Sequence, residues 1–183
     1  FAILNLLFTA LAAGGSVVTA QYLGKGIKEE ACKSANQLML ACLLVSGVLT
    51  VFSLVTNRWL LSLIFGSVDN DGMDCAVTYF YIVCLSFPFL AIYNAAASLF
   101  RAMGNTKTAM LVATLMNILN LAGNALFITG LSLGVTGAGL ALLLSRIFSA
   151  VVMVILIRNP KMPVYTTNFL TSGFDLSVIS KIL

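Results

Sequence analysis

Three carboxamides recur along one apolar stretch of this 183-residue sequence, Asn117, Asn120 and Asn124, at i, i+3 and i+7. At about 100° per residue on a helix, that spacing puts all three on one narrow face, and Thr114 one turn earlier extends the stripe. A carboxamide in apolar surroundings costs a few kcal/mol unless it is hydrogen-bonded. Such a stripe either locks one helix to another or lines a wet path for a substrate or an ion. Three amides exceed what packing usually requires, which favours the path. An amide carbonyl can coordinate a cation, but an amide cannot exchange a proton. In another apolar stretch, Tyr93 and Asn94 form the natural pair to face the stripe. Arg146 is the only charge deep inside an apolar stretch, and no acid in those stretches can pair with it. It can snorkel, bond backbone carbonyls, or meet a carboxylate from another part of the protein. The candidate substrate or cation pathway is therefore Asn117, Asn120, Asn124, Asn94, Tyr93 and Arg146.

Other chemistry is poorly served. The sequence has no His, which removes the commonest general base and metal ligand. No nucleophile–base pair is apparent, so an enzyme is not expected. Cys32, Cys42, Cys75 and Cys84 show no CxxC spacing and read as small apolar fillers rather than metal ligands. No cofactor is expected.

The elements that must hold these residues are membrane helices. Hydrophobic residues make up 60% of the chain and charged residues 9%, and mean hydropathy is +1.05. A soluble domain carries about 45–50% apolar and about 25% charged residues, so this chain needs lipid. Its net charge of +4 is scattered in short runs between apolar stretches, which argues against a nucleic-acid partner. A crossing helix needs about 20 mostly apolar residues. Five stretches qualify, at about 3–23, 37–56, 76–99, 108–129 and 135–157. The fold class expected is an all-α polytopic bundle of five transmembrane helices, because lipid leaves backbone polar groups no partner outside the segment.

The connections divide by charge. Lys25, Lys28, Lys33, Arg101, Lys107, Arg158 and Lys161 flank one end of the spans, against Arg58 alone at the other. Lys/Arg excess marks the cytoplasmic side, so the first span runs outside to inside. Pro88, in the middle of the third span, should kink it. Small residues four apart (Ala12/Ser16, Ala91/Ala95, Gly134/Ala138, Gly137/Ala141) should allow close helix packing. Residues 1–158 are read as a partial transmembrane lobe, and 159–183 as a cytoplasmic linker carrying an amphipathic helix over 174–183. The chain opens inside an apolar run with no charged n-region, so its start is not read as a signal peptide and the sequence reads as an excerpt of a longer protein.

Four segments together resemble the multidrug and toxic compound extrusion (MATE) family of secondary transporters. Gly15-Ser-Val-Val-Thr-Ala-Gln21-Tyr-Leu-Gly24-Lys-Gly is similar to the second helix and its exit, and Leu99-Phe-Arg101-Ala-Met-Gly104-Asn-Thr106-Lys to an RAxGxT turn after the fourth. Asn117 through Gly130, followed by Gly134-Val-Thr-Gly137-Ala-Gly-Leu-Ala141, resembles the fifth helix and the start of the sixth. Phe174-Asp through Lys181-Ile-Leu resembles the lead-in to a seventh.

The resemblance implies helices two to six of the amino-terminal lobe of a twelve-helix, two-lobe carrier, without its first helix and carboxy-terminal lobe. It implies export of small cationic amphipathic drugs or metabolites through the plasma membrane, here a bacterial inner membrane, by antiport against sodium or protons. Alternating access between the lobes would carry it, consistent with transporters built from repeats. The alternative is a flippase for lipid-linked oligosaccharides or polysaccharides of the same superfamily. Two positions depart from the family. Where many members carry Asp four residues after the Asn matching Asn120, this sequence has Asn124, and where some carry Thr it has Leu142. Proton exchange at Asn124 is thereby excluded, which moves a coupling carboxylate outside these residues.

Overall fold

A computed structural model describes residues 2–65, 70–160 and 162–166, with side chains described outside 2–4 and 57–74. Six α-helices follow one another: α1 (Ala2–Gly24), α2 (Lys28–Phe65), α3 (Asn70–Leu85), α4 (Phe87–Ala102), α5 (Thr106–Asn124) and α6 (Gly134–Ile157). A π-helical turn, Ala125–Gly130, joins α5 to the connection before α6. Together α3 and α4 make one crossing, so among the described residues five helical stretches are long and apolar enough to span a bilayer.

The third crossing breaks at Ser86, two residues before Pro88. Proline has no N–H, so the carbonyl of Cys84 loses its helical donor. Thr50 of α2 compensates: its hydroxyl, bonded to Ser46 O at 2.7 Å, also reaches Cys84 O at 3.4 Å. From the other flank, Arg146 of α6 donates to Ser86 Oγ. Ser86 Oγ in turn donates to Val83 O at 2.6 Å, and Phe87 meets Phe8 of α1 edge to face at 6.2 Å between centroids. The kink expected at Pro88 is thus a break held by α1, α2 and α6.

In the packing, α4 is central and touches every other helix, while α5 lies at the margin against α6 and, less extensively, α4. Small residues set this. Ala91, Ala95 and Ala96 are fully buried and let α1 and α2 close on α4 around Leu38, Met39 and Cys42. Gly137 serves the contact of α6 with the π-helical turn, since a Cβ there would lie 3.0 Å from the backbone of Phe127. Of the small pairs expected to pack, Ala12, Ala91, Ala95, Gly137 and Ala141 are buried, whereas Gly134 is exposed and its φ of +54° serves the turn into α6.

Helix ends differ from the hydropathy reading. The stretch read as a connection over 24–36 is mostly helical, because α2 begins at Lys28. Glu29 and Glu30 sit in its first turn, favoured by the helix dipole, and pair with Lys33 at 3.6 and 3.2 Å. In the stretch read as a long connection over 57–75 the described residues are helical too: α2 passes through Asn57 and Arg58 to Phe65, and α3 starts at Asn70. Apolarity marks the part of a helix that needs lipid, and polar turns continue beyond it. After α6 the chain folds back: Thr166 N donates to Ile157 O at 3.2 Å, and Val164 and Thr166 are fully buried. The amphipathic helix expected over 174–183 lies outside the described residues.

Candidate functional site

The fourth crossing starts from a well-formed cap. Asn105 Oδ1 accepts from Thr108 N at 3.4 Å, which meets one backbone donor left over at the start of α5, and from Thr108 Oγ1 at 2.9 Å. Farther along, Gly123 lets α6 approach, because a Cβ there would stand 3.0 Å from Ala141 Cβ. This approach brings the carboxamides of α5 within reach of α6. Asn124 Nδ2 donates to Asn120 Oδ1 at 3.2 Å, Asn120 Nδ2 to Ser145 Oγ at 3.4 Å, and Ser145 Oγ to Leu142 O at 2.9 Å. The chain of bonds is directional, and its head is Asn124 Oδ1. That carbonyl oxygen is buried with no hydrogen-bond partner among the described residues. A buried acceptor without a donor carries a cost of about 1–3 kcal/mol, which a donor or a cation placed against it would remove.

Asn117 and Thr114 continue the stripe toward the α5 N-terminus but are exposed, and Thr114 satisfies its hydroxyl on Met110 O at 3.0 Å. Beside the bonded amides a cavity of about 360 Å³ opens between α5 and α6, lined by Leu119, Gly123, Phe127, Leu144, Ser145 and Phe148 among others. Its wall is almost wholly apolar, with the Ser145 hydroxyl as the polar side chain in it.

Below Asn124 the backbone widens into the π-helical turn Ala125–Gly130. Thr129 Oγ1 bonds Ala125 O there, and Leu133 N reaches back to Phe127 O at 3.0 Å. Ser132 takes a left-handed φ of 53°, an uncommon conformation for a residue with a side chain. π-Helical turns gather at functional sites.

The remaining expected residues lie apart. Asn94 does not bond to the stripe; its Nδ2 donates to Asn5 Oδ1 on α1 at 3.4 Å. Helix rotation is the reason, since Tyr93 and not Asn94 is turned to α5, where it shares a cavity with Met110 and Ala113. Ser145 and Arg146 are likewise one position apart on α6, so Ser145 meets α5 while Arg146, 4% exposed, meets the α3–α4 break. The six residues therefore divide into an amide chain (Asn120, Asn124), an exposed extension (Asn117), an α1–α4 link (Asn94), a cavity wall (Tyr93) and a helix-break pin (Arg146). Ser145, Asn5 and the π-helical turn escape a reading of residue types, since single serines and asparagines in apolar stretches carry no periodic signal.

Among the described residues no three His, Cys, Asp or Glu side chains gather into a metal-binding group.

Known proteins share this fold. The MatE family model matches residues 1–126. The "Uncharacterized transporter YisQ" of Bacillus subtilis is 30% identical over 164 residues, which cover 86% of this chain and 36% of that protein. "Protein DETOXIFICATION 43" of Arabidopsis thaliana is 24% identical over 121 residues, 66% of this chain and 23% of that one. The fold superposes on an inward-facing multidrug resistance MATE family transporter of the MOP superfamily with a TM-score of 0.89 at 22% identity, over 98% of this chain and 40% of that one. On an outward-facing one the TM-score is 0.87 at 22% identity, over 100% of this chain and 40% of that one. This chain thus spans well under half the length of these relatives.

Proposed function

We propose, from the premise that this chain belongs to the MatE family of membrane transporters, that it forms part of the amino-terminal lobe of an exporter of small cationic amphipathic molecules. Export runs by antiport against sodium or protons, with alternating access between two lobes. The observation that carries this reading is the directional amide chain on α5, headed by the unpartnered, buried Asn124 Oδ1. A carbonyl acceptor in a largely apolar surrounding favours a cation or a donor over an anion. Exposure of Asn117 on the same helix adds to it, because a carboxamide against hydrocarbon is costly and this flank of α5 is better matched to water or protein.

Asn124 replaces the acid that many family members carry, so this wall of the path holds a cation without titrating, and the residue that exchanges with the gradient lies outside the described residues. That the bundle superposes almost equally well on inward- and outward-facing relatives supports a lobe that moves as a unit. A lipid-pyrophosphate flippase is less well served, since its cavity calls for basic side chains and the one cation deep in a span, Arg146, is engaged at Ser86.

Cells producing the full-length protein test this reading through accumulation of a cationic dye, with sodium and pH gradients varied separately. Efflux should follow at least one gradient. Efflux that persists with both collapsed would contradict antiport.

A further inference from the structure

The turn from α4 to α5 holds more charge than its geometry needs. Its backbone is explained by local bonds: Gly104 takes φ +76°, Gly104 N bonds Arg101 O at 3.0 Å, and Asn105 N bonds Phe100 O at 2.9 Å. This is a glycine-terminated helix end, and it requires Gly104 and the Asn105 cap. The side chains of Arg101 and Lys107 take no part in those bonds. Arg101, in the last turn of α4, agrees with that helix's dipole. Lys107 does not. It is the second residue of α5, where the positive end of the helix opposes a cation. Among the described residues the ion pairs are those of Lys33 with Glu29 and Glu30, and neither Arg101 nor Lys107 has one.

The two cations border a cavity of about 300 Å³ between α4 and α5, lined also by Tyr93, Thr106, Met110 and Ala113. Its mouth is basic and carries the hydroxyl of Thr106 and the start of α5. Its inner wall is apolar and runs along α5 toward the middle of the span, with Met110 64% exposed. A cationic substrate is repelled at such a mouth. A free inorganic anion would use the mouth and leave the apolar wall idle. A headgroup phosphate with an acyl chain below it matches both. Lys25 and Lys28 lie at this same end of the bundle, at the α1–α2 connection, so this end faces a headgroup layer with a surplus of positive charge.

We propose that the α4–α5 cavity binds an anionic phospholipid of the leaflet at the Lys/Arg-rich end, with Arg101, Lys107 and the α5 N-terminus on the phosphate and Met110 and Ala113 along the acyl chain. The bound lipid neutralises the misplaced Lys107 and joins the ends of α4 and α5, the helix pair with little direct packing.

Native mass spectrometry of the purified full-length protein, titrated with phosphatidylglycerol or phosphatidylcholine of the same chains, tests the site. The unmodified protein should retain phosphatidylglycerol preferentially. Each cation near a phosphate is worth roughly fivefold in binding, so Arg101→Ala with Lys107→Ala should weaken phosphatidylglycerol by about tenfold or more. Lys25→Ala with Lys28→Ala removes equal charge at the same end and should leave it within about twofold. Should the first pair fail to fold, Arg101→Lys with Lys107→Arg keeps both charges and should bind normally, and the headgroup preference of the unmodified protein needs no variant. Equal retention of both lipids overturns the proposal, as it would if another segment of the protein fills the cavity. Equal loss in both alanine pairs reduces it to diffuse attraction, and displacement of the lipid by millimolar inorganic phosphate makes the site one for a free anion; either result also overturns it.

Discussion

Asn120 stands between two partners, accepting from Asn124 and donating to Ser145. Asn120→Leu removes both bonds at once, leaving Asn124 Nδ2 without its acceptor while Ser145 keeps only its bond to Leu142 O. Interhelical hydrogen bonds in membranes average about 0.6 kcal/mol, with a maximum near 1.7, so the protein should still be expressed and inserted. If, as proposed, transport depends on where Asn124 Oδ1 is held, it should fall about tenfold or more in dye-efflux assays. Asn124→Asp probes the same point by charge. An ionised carboxylate at high pH would hold a cation more tightly than an amide, and protonation at low pH would release it. The variant should therefore acquire an acid limb in its pH–transport profile that the unmodified protein lacks, and a profile of unchanged shape would remove Asn124 from the cation path. The three-residue amide pattern was legible in the sequence because helical periodicity is. Its bonding partners were not, since Ser145 and Asn5 are chosen by how helices rotate against one another.

Helices carry the next set of consequences. Pro88 announced the break in the third crossing, since a missing N–H acts wherever it falls. The repair of the break is tertiary and so was hidden: Thr50 reaches Cys84 O from α2, and Arg146 reaches Ser86 from α6. Thr50→Val should destabilise the protein by about 0.5–1 kcal/mol, measured by thermal or denaturant unfolding in detergent. In a Pro88→Ala background the restored N–H can serve Cys84 O, and the same substitution should then cost much less. Equal costs in both backgrounds would mean that Thr50 does not answer the proline. Where α6 meets the π-helical turn, Gly137→Ala places a methyl 3.0 Å from the Phe127 backbone, which cannot yield as a side-chain tip can. Overpacking of this kind costs about 1–3 kcal/mol. Gly47→Ala is the matched control, because nothing lies within 4 Å of a Cβ there. Span positions were legible from hydropathy to within a turn at most ends. The continuations of α2 at both ends were not: polar residues before Gln37, and Asn57 and Arg58 ahead of the apolar run to Phe65, break the hydropathy signal without breaking the helical hydrogen bonds.

For the whole molecule, the proposed function makes this bundle one wall of a path rather than a complete machine. The central helix α4 and its neighbours α1, α2 and α6 form a body with small buried residues and pinned breaks, while α5 offers a broad exposed flank on which Asn117 lies. A body of this kind should move as a unit against its counterpart, carrying the amide chain with it. Its membership of a transporter family was readable from four short segments in order, since close helix approach and turn geometry restrict residue types there. Which ion the proposed antiport would exchange was not readable, because position 124 carries an amide where an acid would have announced it.

The most direct test reconstitutes the full-length protein in vesicles and follows efflux of a cationic dye from the unmodified form and from Asn120→Leu, with imposed sodium and proton gradients applied one at a time. Gradient-driven efflux in the unmodified protein and its loss in a stably inserted Asn120→Leu variant is the outcome predicted. Normal gradient-driven efflux in that variant would contradict a path along the α5 amides.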